Sequence, residues 1–160
     1  MTIAIGDKVP SVSVWNKDAD GVHKLDFSEF CAGKTVAFFS VPGAFTPTCQ
    51  EKHFPSFKSN SQTLKEKGVD VIACMSVNDP FVMQAWGELL DPEGDIVMLA
   101  DAECELATAF GLTIDASGAG LGQRSARFSM LIKNSMVSSL HTEESGGYEL
   151  SSAEVLLKDL

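Results

Sequence analysis

Residues 34–49 read KTVAFFSVPGAFTPTC, passing from an apolar run through a Pro-Gly loop into the start of a helix. The first half, 34–41, lacks the polar alternation of a half-exposed strand, so it reads as a central strand buried on both faces. Pro42-Gly43 ends it. Thr46 stands where a helix N-cap belongs and Pro47 at the first helical position, a favoured pairing. Cys49 is then the third helical residue, beside backbone N–H groups without helical partners and at the positive end of the helix dipole. Both favour a reactive thiolate.

Upstream of this stretch, Val12 and Val14, then Val22 and Leu25, flank Asp18-Ala19-Asp20-Gly21 and predict a hairpin. Downstream, Phe54, Phe57 and Leu64 share one face of a helix expected to run to about residue 67 and stop at Gly68. Residues 69–77 (VDVIACMSV) form a second buried strand. Asp79-Pro80 opens a capped helix with Val82, Trp86 and Leu89 on one face and Ala85 alongside. A short strand over 96–100, a short helix over 103–110 ending at Gly111, a glycine-rich loop over 117–122, strands over 128–133 and 136–141 and a last helix over 152–160 follow. Strands alternating with helices and closed by a hairpin and helix give an α/β fold of the thioredoxin-like kind, a central mixed sheet flanked by helices. No repeat or linker divides the sequence, so 1–160 is read as one domain.

The chain has 160 residues, 44% of them hydrophobic, enough for a core without disulfide staples. Twelve basic against 22 acidic residues give a net charge of −10, which argues against nucleic acid and anionic membrane as partners. No apolar run is long enough to span a bilayer, and the first residues lack a basic segment followed by an apolar one. The sequence reads as soluble and cytoplasmic, with an organellar chain after removal of a transit peptide left open. Cys31, Cys49, Cys74 and Cys104 form no C-x-x-C pair, so neither a zinc ribbon nor a dithiol motif is present. Free thiols, no metal and no bound cofactor are expected.

Around Cys49, the Thr46 hydroxyl can cap the Cys49 N–H, or hydrogen-bond the sulfur and an incoming oxygen substrate. Arg124 and Arg127 are the only arginines, three residues apart in a chain that otherwise uses lysine. Such a pair suits fixed recognition of an anion or polarised oxygen, or a surface ion pair. His53, one turn beyond Cys49, either tunes the thiol or serves packing and an outer hydrogen bond. Cys74 lies in an apolar strand as a small buried residue, and Cys31 and Cys104 have no activating context. Gly118, Gly120 and Gly122 resemble a phosphate loop superficially, but a strand follows them, so they read as a mobile loop.

The pattern Pro42-x-x-x-Thr46-x-x-Cys49 resembles the active-site signature of peroxiredoxins. The run VPGAFTPTCQEKHFPSF at 41–57, with SVNDPFV at 76–82 and RFSM at 127–130, is similar to the atypical type II, or peroxiredoxin-five-like, branch. The resemblance implies a thiol-dependent peroxidase acting on hydrogen peroxide and small alkyl hydroperoxides, with Cys49 as the peroxidatic cysteine that becomes a sulfenic acid. It also implies that Thr46 and Arg127 hold the peroxide oxygens and stabilise the thiolate, while Pro42 shields the intermediate. Animal members carry a resolving cysteine in the segment matching 145–152, where this chain has none; plant-like members have one where Cys74 stands. Resolution otherwise falls to glutathione, glutaredoxin or thioredoxin. A non-covalent homodimer formed near the active-site loops is implied as well. Two other readings stay open: a redox-responsive binding or chaperone module, and a cysteine hydrolase using His23, His53 or His141 as base.

Overall fold

A computed structural model describes residues 2–143 and 147–160. Seven strands form one mixed sheet in the order β2-β1-β5-β4-β3-β8-β9. The N-terminal hairpin, β1 (Ser13–Asp18) and β2 (Gly21–Asp26), turns where Asp18 to Gly21 predicted. β3 (Thr35–Ser40) lies between parallel β4 (Val71–Ser76) and antiparallel β8 (Phe128–Lys133). β5 (Ile96–Ala100) continues the parallel part, and β9 (Met136–Thr142) closes the far edge.

The apolar residues 36–39 inside β3 follow from its position, because its two faces bury different cores. Val36 and Phe38 pack with Phe27 and Cys31 of α1 (Phe27–Cys31) and with Leu106 and Phe110 of α5 (Glu105–Phe110). Ala37 and Phe39 pack on the other side with Cys49, Phe54, Phe57 and Trp86. Phe39 and Phe57 stack with centroids 4.0 Å apart, which fixes the helix after Cys49 against the sheet.

Three expected helices differ from observation. The helix expected to 67 is interrupted: Cys49–His53 is a π-turn, α2 spans Phe54–Ser59, and α3 (Ser61–Glu66) follows a break at Asn60. Pro55 explains the π-turn, since its ring has no N–H and would crowd the carbonyl four residues back in a regular α-helix. The wider turn lets Phe54 N–H bond to Cys49 O instead. In α4 (Pro80–Leu90) the buried stripe is Met83, Trp86 and Gly87, while Leu89 and Ala85 face outward. Gly87 is what moves the stripe, because a Cβ there would come within 2.7 Å of Met98 Cγ on β5, and its absence lets the helix approach the sheet. The last helix, α6, is shorter than expected at Ala153–Leu157, although Ser152 caps it as an N-terminal serine should.

The glycine-rich loop is the tip of a small hairpin, β6 (Thr113–Asp115) with β7 (Gln123–Ser125), closed by a 3₁₀ turn at Ser117–Ala119. The hairpin presents Arg124 toward the end of β3. The buried Ser40 and Ser125 hydroxyls, 2.6 Å apart, pin β7 to β3 there.

Candidate active site

The site forms where β3 ends. Val41 N–H donates to Met75 O, and the chain then turns through Pro42, Gly43 and Ala44. Asn78 Oδ1 holds the turn by accepting from Ala44 N–H (3.1 Å) and from the Ser76 hydroxyl (2.6 Å), which gives the SVND run its physical role. Asp79 caps α4 by accepting from Val82 N–H. Phe45 adopts φ 65°, a left-handed conformation disfavoured for a side chain of its size. The strain sits one residue before Thr46.

The Thr46 hydroxyl does not cap the helix. It donates to Gly43 O at 2.6 Å, while Thr46 O accepts from Gln50 N–H. Thr46 therefore cannot give its proton to sulfur in this geometry, and its oxygen lone pairs remain to accept.

Cys49 is 1% exposed. Arg127, the residue before β8, reaches across with Nη2 donating to Cys49 Sγ at 3.0 Å, a fixed positive charge against the sulfur. Its Nη1 lies 2.9 Å from His53 Nδ1, and His53 Nε2 lies 2.9 Å from Ser151 O. A guanidinium only donates and a carbonyl only accepts, so His53 is neutral, with its proton on Nε2 and Nδ1 accepting from Arg127. The side chain is fully buried, and burial followed by the Arg127 charge pulls its pKa down to about 3, against weaker opposition from Ser151 and Glu143. His53 is thus an outer hydrogen-bond partner and offers no basic nitrogen to Cys49, while His23 and His141 are paired with Asp18 and Asp159, so none of the three histidines is placed as a hydrolase base. Tyr148 covers the pair, its ring 5.2 Å from His53 and 5.9 Å from Arg127 Cζ.

A neutral buried histidine has a cost in acid. Below its ordinary value of 6.5, the unfolded chain takes up a proton that the folded chain refuses until about pH 3. Stability therefore rises with pH across this window, by up to about 1.4 kcal/mol per pH unit. Between pH 7 and pH 5 the parent is expected to lose about 2 kcal/mol more than His53→Gln, measured by urea unfolding. Equal losses in the two proteins would refute a neutral His53.

The structure separates the two arginines. Arg124 Nε donates to Leu121 O (2.8 Å) and Nη1 to Pro42 O (3.3 Å), so it braces the turn and does not contact Cys49. Cys74 lies at the middle of β4, paired with Phe39 on one side and Met98 on the other, and is fully buried. Burial, then the nearby Cys49, raises its thiol well above the ordinary range. Cys31, buried too, is pushed up to about 12 by desolvation. Among the described residues, the carboxylates of Asp91, Glu93 and Asp95 converge on one another but are held by Lys58 Nζ at 2.7, 2.8 and 2.7 Å. Of the 145–152 segment, 145 and 146 lie outside the described residues.

Ser151, Tyr148 and Glu143, which shape the surroundings of His53, escape a reading of the sequence. Ser151 lies 98 residues from His53 in the chain, and no local motif marks it.

The redoxin family model matches residues 4–157. The chain is 46% identical to Peroxiredoxin-2E-2, chloroplastic, of Oryza sativa subsp. japonica, covering 99% of this chain and 73% of that protein. It is 42% identical to Peroxiredoxin-2B of Arabidopsis thaliana, with 99% and 98% covered. Reduced Prx3 from Vibrio vulnificus in complex with H2O2 superposes with a TM-score of 0.94 at 43% identity over 98% of each chain. Peroxiredoxin 5 from Alvinella pompejana gives 0.87 at 36% identity over 98% of this chain and 97% of that one.

Proposed function

Because this chain belongs to the redoxin family as a peroxiredoxin, a thiol-dependent peroxidase, we propose that Cys49 is its peroxidatic cysteine. The observation that carries this is the Arg127 Nη2 contact to Cys49 Sγ. The thiolate attacks one peroxide oxygen, an S–O bond forms as the O–O bond breaks, and sulfur is oxidised to the sulfenic state. The other oxygen leaves with the bonding pair and takes up a proton, giving water or an alcohol. Arg127 stabilises charge on sulfur and on the oxygens as the bond breaks. Thr46, its own proton given to Gly43 O, accepts the peroxide O–H. Pro42, half-buried and with its carbonyl held by Arg124, walls the pocket against water. A sulfur this enclosed suits hydrogen peroxide and small alkyl hydroperoxides.

In the second half-reaction an external thiol condenses with the sulfenic acid, releasing water and leaving a mixed disulfide, and a second thiol restores Cys49. We assign that reductant to glutathione, glutaredoxin or thioredoxin. The burial of Cys74 supports external resolution, because its thiol is packed in the core, raised well above the ordinary range by desolvation and then by the nearby Cys49, and so is held in the protonated form that does not attack a sulfenic acid. Replacing Cys74 with Ser is therefore expected to leave peroxide turnover with each reductant unchanged; turnover lost with every reductant would assign resolution to Cys74. No cofactor is required. The chain works as a single domain in a reducing compartment, the cytoplasm in our reading; "chloroplastic" belongs to the names of two relatives. Exposed Phe45 and Leu150, adjacent in sequence to Thr46 and Ser151, favour a non-covalent homodimer meeting at these loops.

A further inference from the structure

Glu143 follows β9 directly and touches neither Cys49 nor the peroxide pocket. Its carboxylate nevertheless collects three consecutive residues of the loop before α6. Glu149 N–H lies 3.0 Å from each oxygen, and Oε2 accepts from Leu150 N–H (2.8 Å), Ser151 N–H (2.6 Å) and Ser151 Oγ (2.5 Å). Successive N–H groups converging on one anion make a nest, which defines the loop's path. The Glu143 backbone N–H donates to Arg127 O at 3.2 Å, so the same residue also holds the strand end that carries the arginine.

Tyr148 of that loop lies over His53 and Arg127 through its ring, and among the described residues the loop's hydrogen bond to the site is that of the Ser151 carbonyl. It accepts from His53 Nε2 and thereby decides which imidazole nitrogen keeps the proton. With the proton on Nε2, Nδ1 is an acceptor for Arg127 Nη1, and the planar guanidinium is left with Nη2 directed at Cys49 Sγ. Without the Ser151 carbonyl, His53 could put its proton on Nδ1, which would oppose the guanidinium.

We propose that Glu143 is a positioning residue for peroxide reduction: by fixing the Ser151 carbonyl it fixes the His53 tautomer, and through it the Arg127 guanidinium on the Cys49 sulfur. The assignment rests on the reading of Cys49 and Arg127 as the peroxide site. All the contacts Glu143 accepts come from donors, four of the five falling on Oε2 and one, from Glu149 N–H, on Oε1, and the negative charge strengthens each of them. An amide would turn an NH2 group toward N–H groups at one of its two ends.

The test is Glu143→Gln, with the two half-reactions measured separately and the His53 imidazole followed by 15N NMR in the reduced protein. The reaction of Cys49 with hydrogen peroxide is expected to slow about tenfold, less than the roughly hundredfold that a 1 Å misplacement can produce. Reduction of the oxidised protein by dithiothreitol stays at the parent rate, and the His53 resonances lose the pattern of a protonated Nε2 and an accepting Nδ1. A parent peroxide rate overturns the proposal, as does an equal slowing of both half-reactions with the His53 pattern intact, which marks a structural role alone. Should Glu143→Gln not fold, Glu143→Asp is read by the same criteria. Peroxide consumption that survived Cys49→Ser would defeat the site reading and this proposal with it; failure of the proposal alone leaves Cys49 dependence intact.

Discussion

Cys49→Ser is expected to lose peroxide turnover by at least about 10⁴-fold, the scale on which removal of a covalent nucleophile is felt. Serine fills nearly the same volume and can accept from Arg127, so the fold and the guanidinium stay in place. It lacks the nucleophilicity and the accessible oxidation states that sulfur brings to the O–O bond. The other three thiols cannot compensate. Cys31 and Cys74 are fully buried and desolvation holds them protonated, and Cys104 is buried and raised in the same direction. Stopped-flow measurement of peroxide consumption checks this, together with a sulfenic-acid trap read by mass spectrometry, which should label Cys49 alone in the parent. Trapping at another cysteine, or turnover persisting in the variant, would move the chemistry away from Cys49.

Arg127→Gln should have the next largest effect, a fall of about 10²–10³ in the second-order rate with hydrogen peroxide, as for loss of a preorganised donor to a developing charge. Glutamine can still meet His53 but brings no charge to the sulfur. Arg127→Lys is expected to recover little, because an ammonium is a point charge and cannot offer one planar donor to His53 Nδ1 and a second to Cys49 Sγ. Arg124→Lys provides the contrast: it keeps the charge, affects only the braces on Leu121 O and Pro42 O, and should cost far less. A lysine at 127 that restored the parent rate would show that charge alone is used.

The strand–loop–helix reading of 34–49 anticipated the architecture because patterning is local. The apolar stretch VAFF at 36–39 inside an eight-residue segment ended by Pro-Gly marks a strand covered on both faces, and β3 is in fact so covered. The same local logic misplaced the inner face of α4, where Gly87 offers no hydrophobicity to count and matters through its close approach to Met98. It also joined what Pro55 divides. At the site, the family resemblance of the motifs implied a grouping of Pro42, Thr46, Cys49 and Arg127, but it did not give the direction of the Thr46 hydroxyl, since Gly43 O and Cys49 N–H are both within its chemical reach. The ring of His53, Ser151 and Glu143 was illegible for another reason. It is assembled by β9 and its following loop returning to the sheet, a tertiary event that leaves no periodicity behind.

The π-turn at Cys49–His53 makes the location of the sulfur a matter of residue count. A π-turn contains one residue more than the α-turn it replaces. Deleting a single residue between Cys49 and Pro55 would take the extra residue out of that turn, moving what precedes it by about 100° around the axis and about 1.5 Å along it relative to Phe54 and Phe57. Phe54 and Phe57 would keep their seats against Phe39, while the sulfur swung off the guanidinium. Chain length in this segment is thus under a constraint that side-chain chemistry does not share: each of Gln50, Glu51 and Lys52 can change identity more freely than it can be lost.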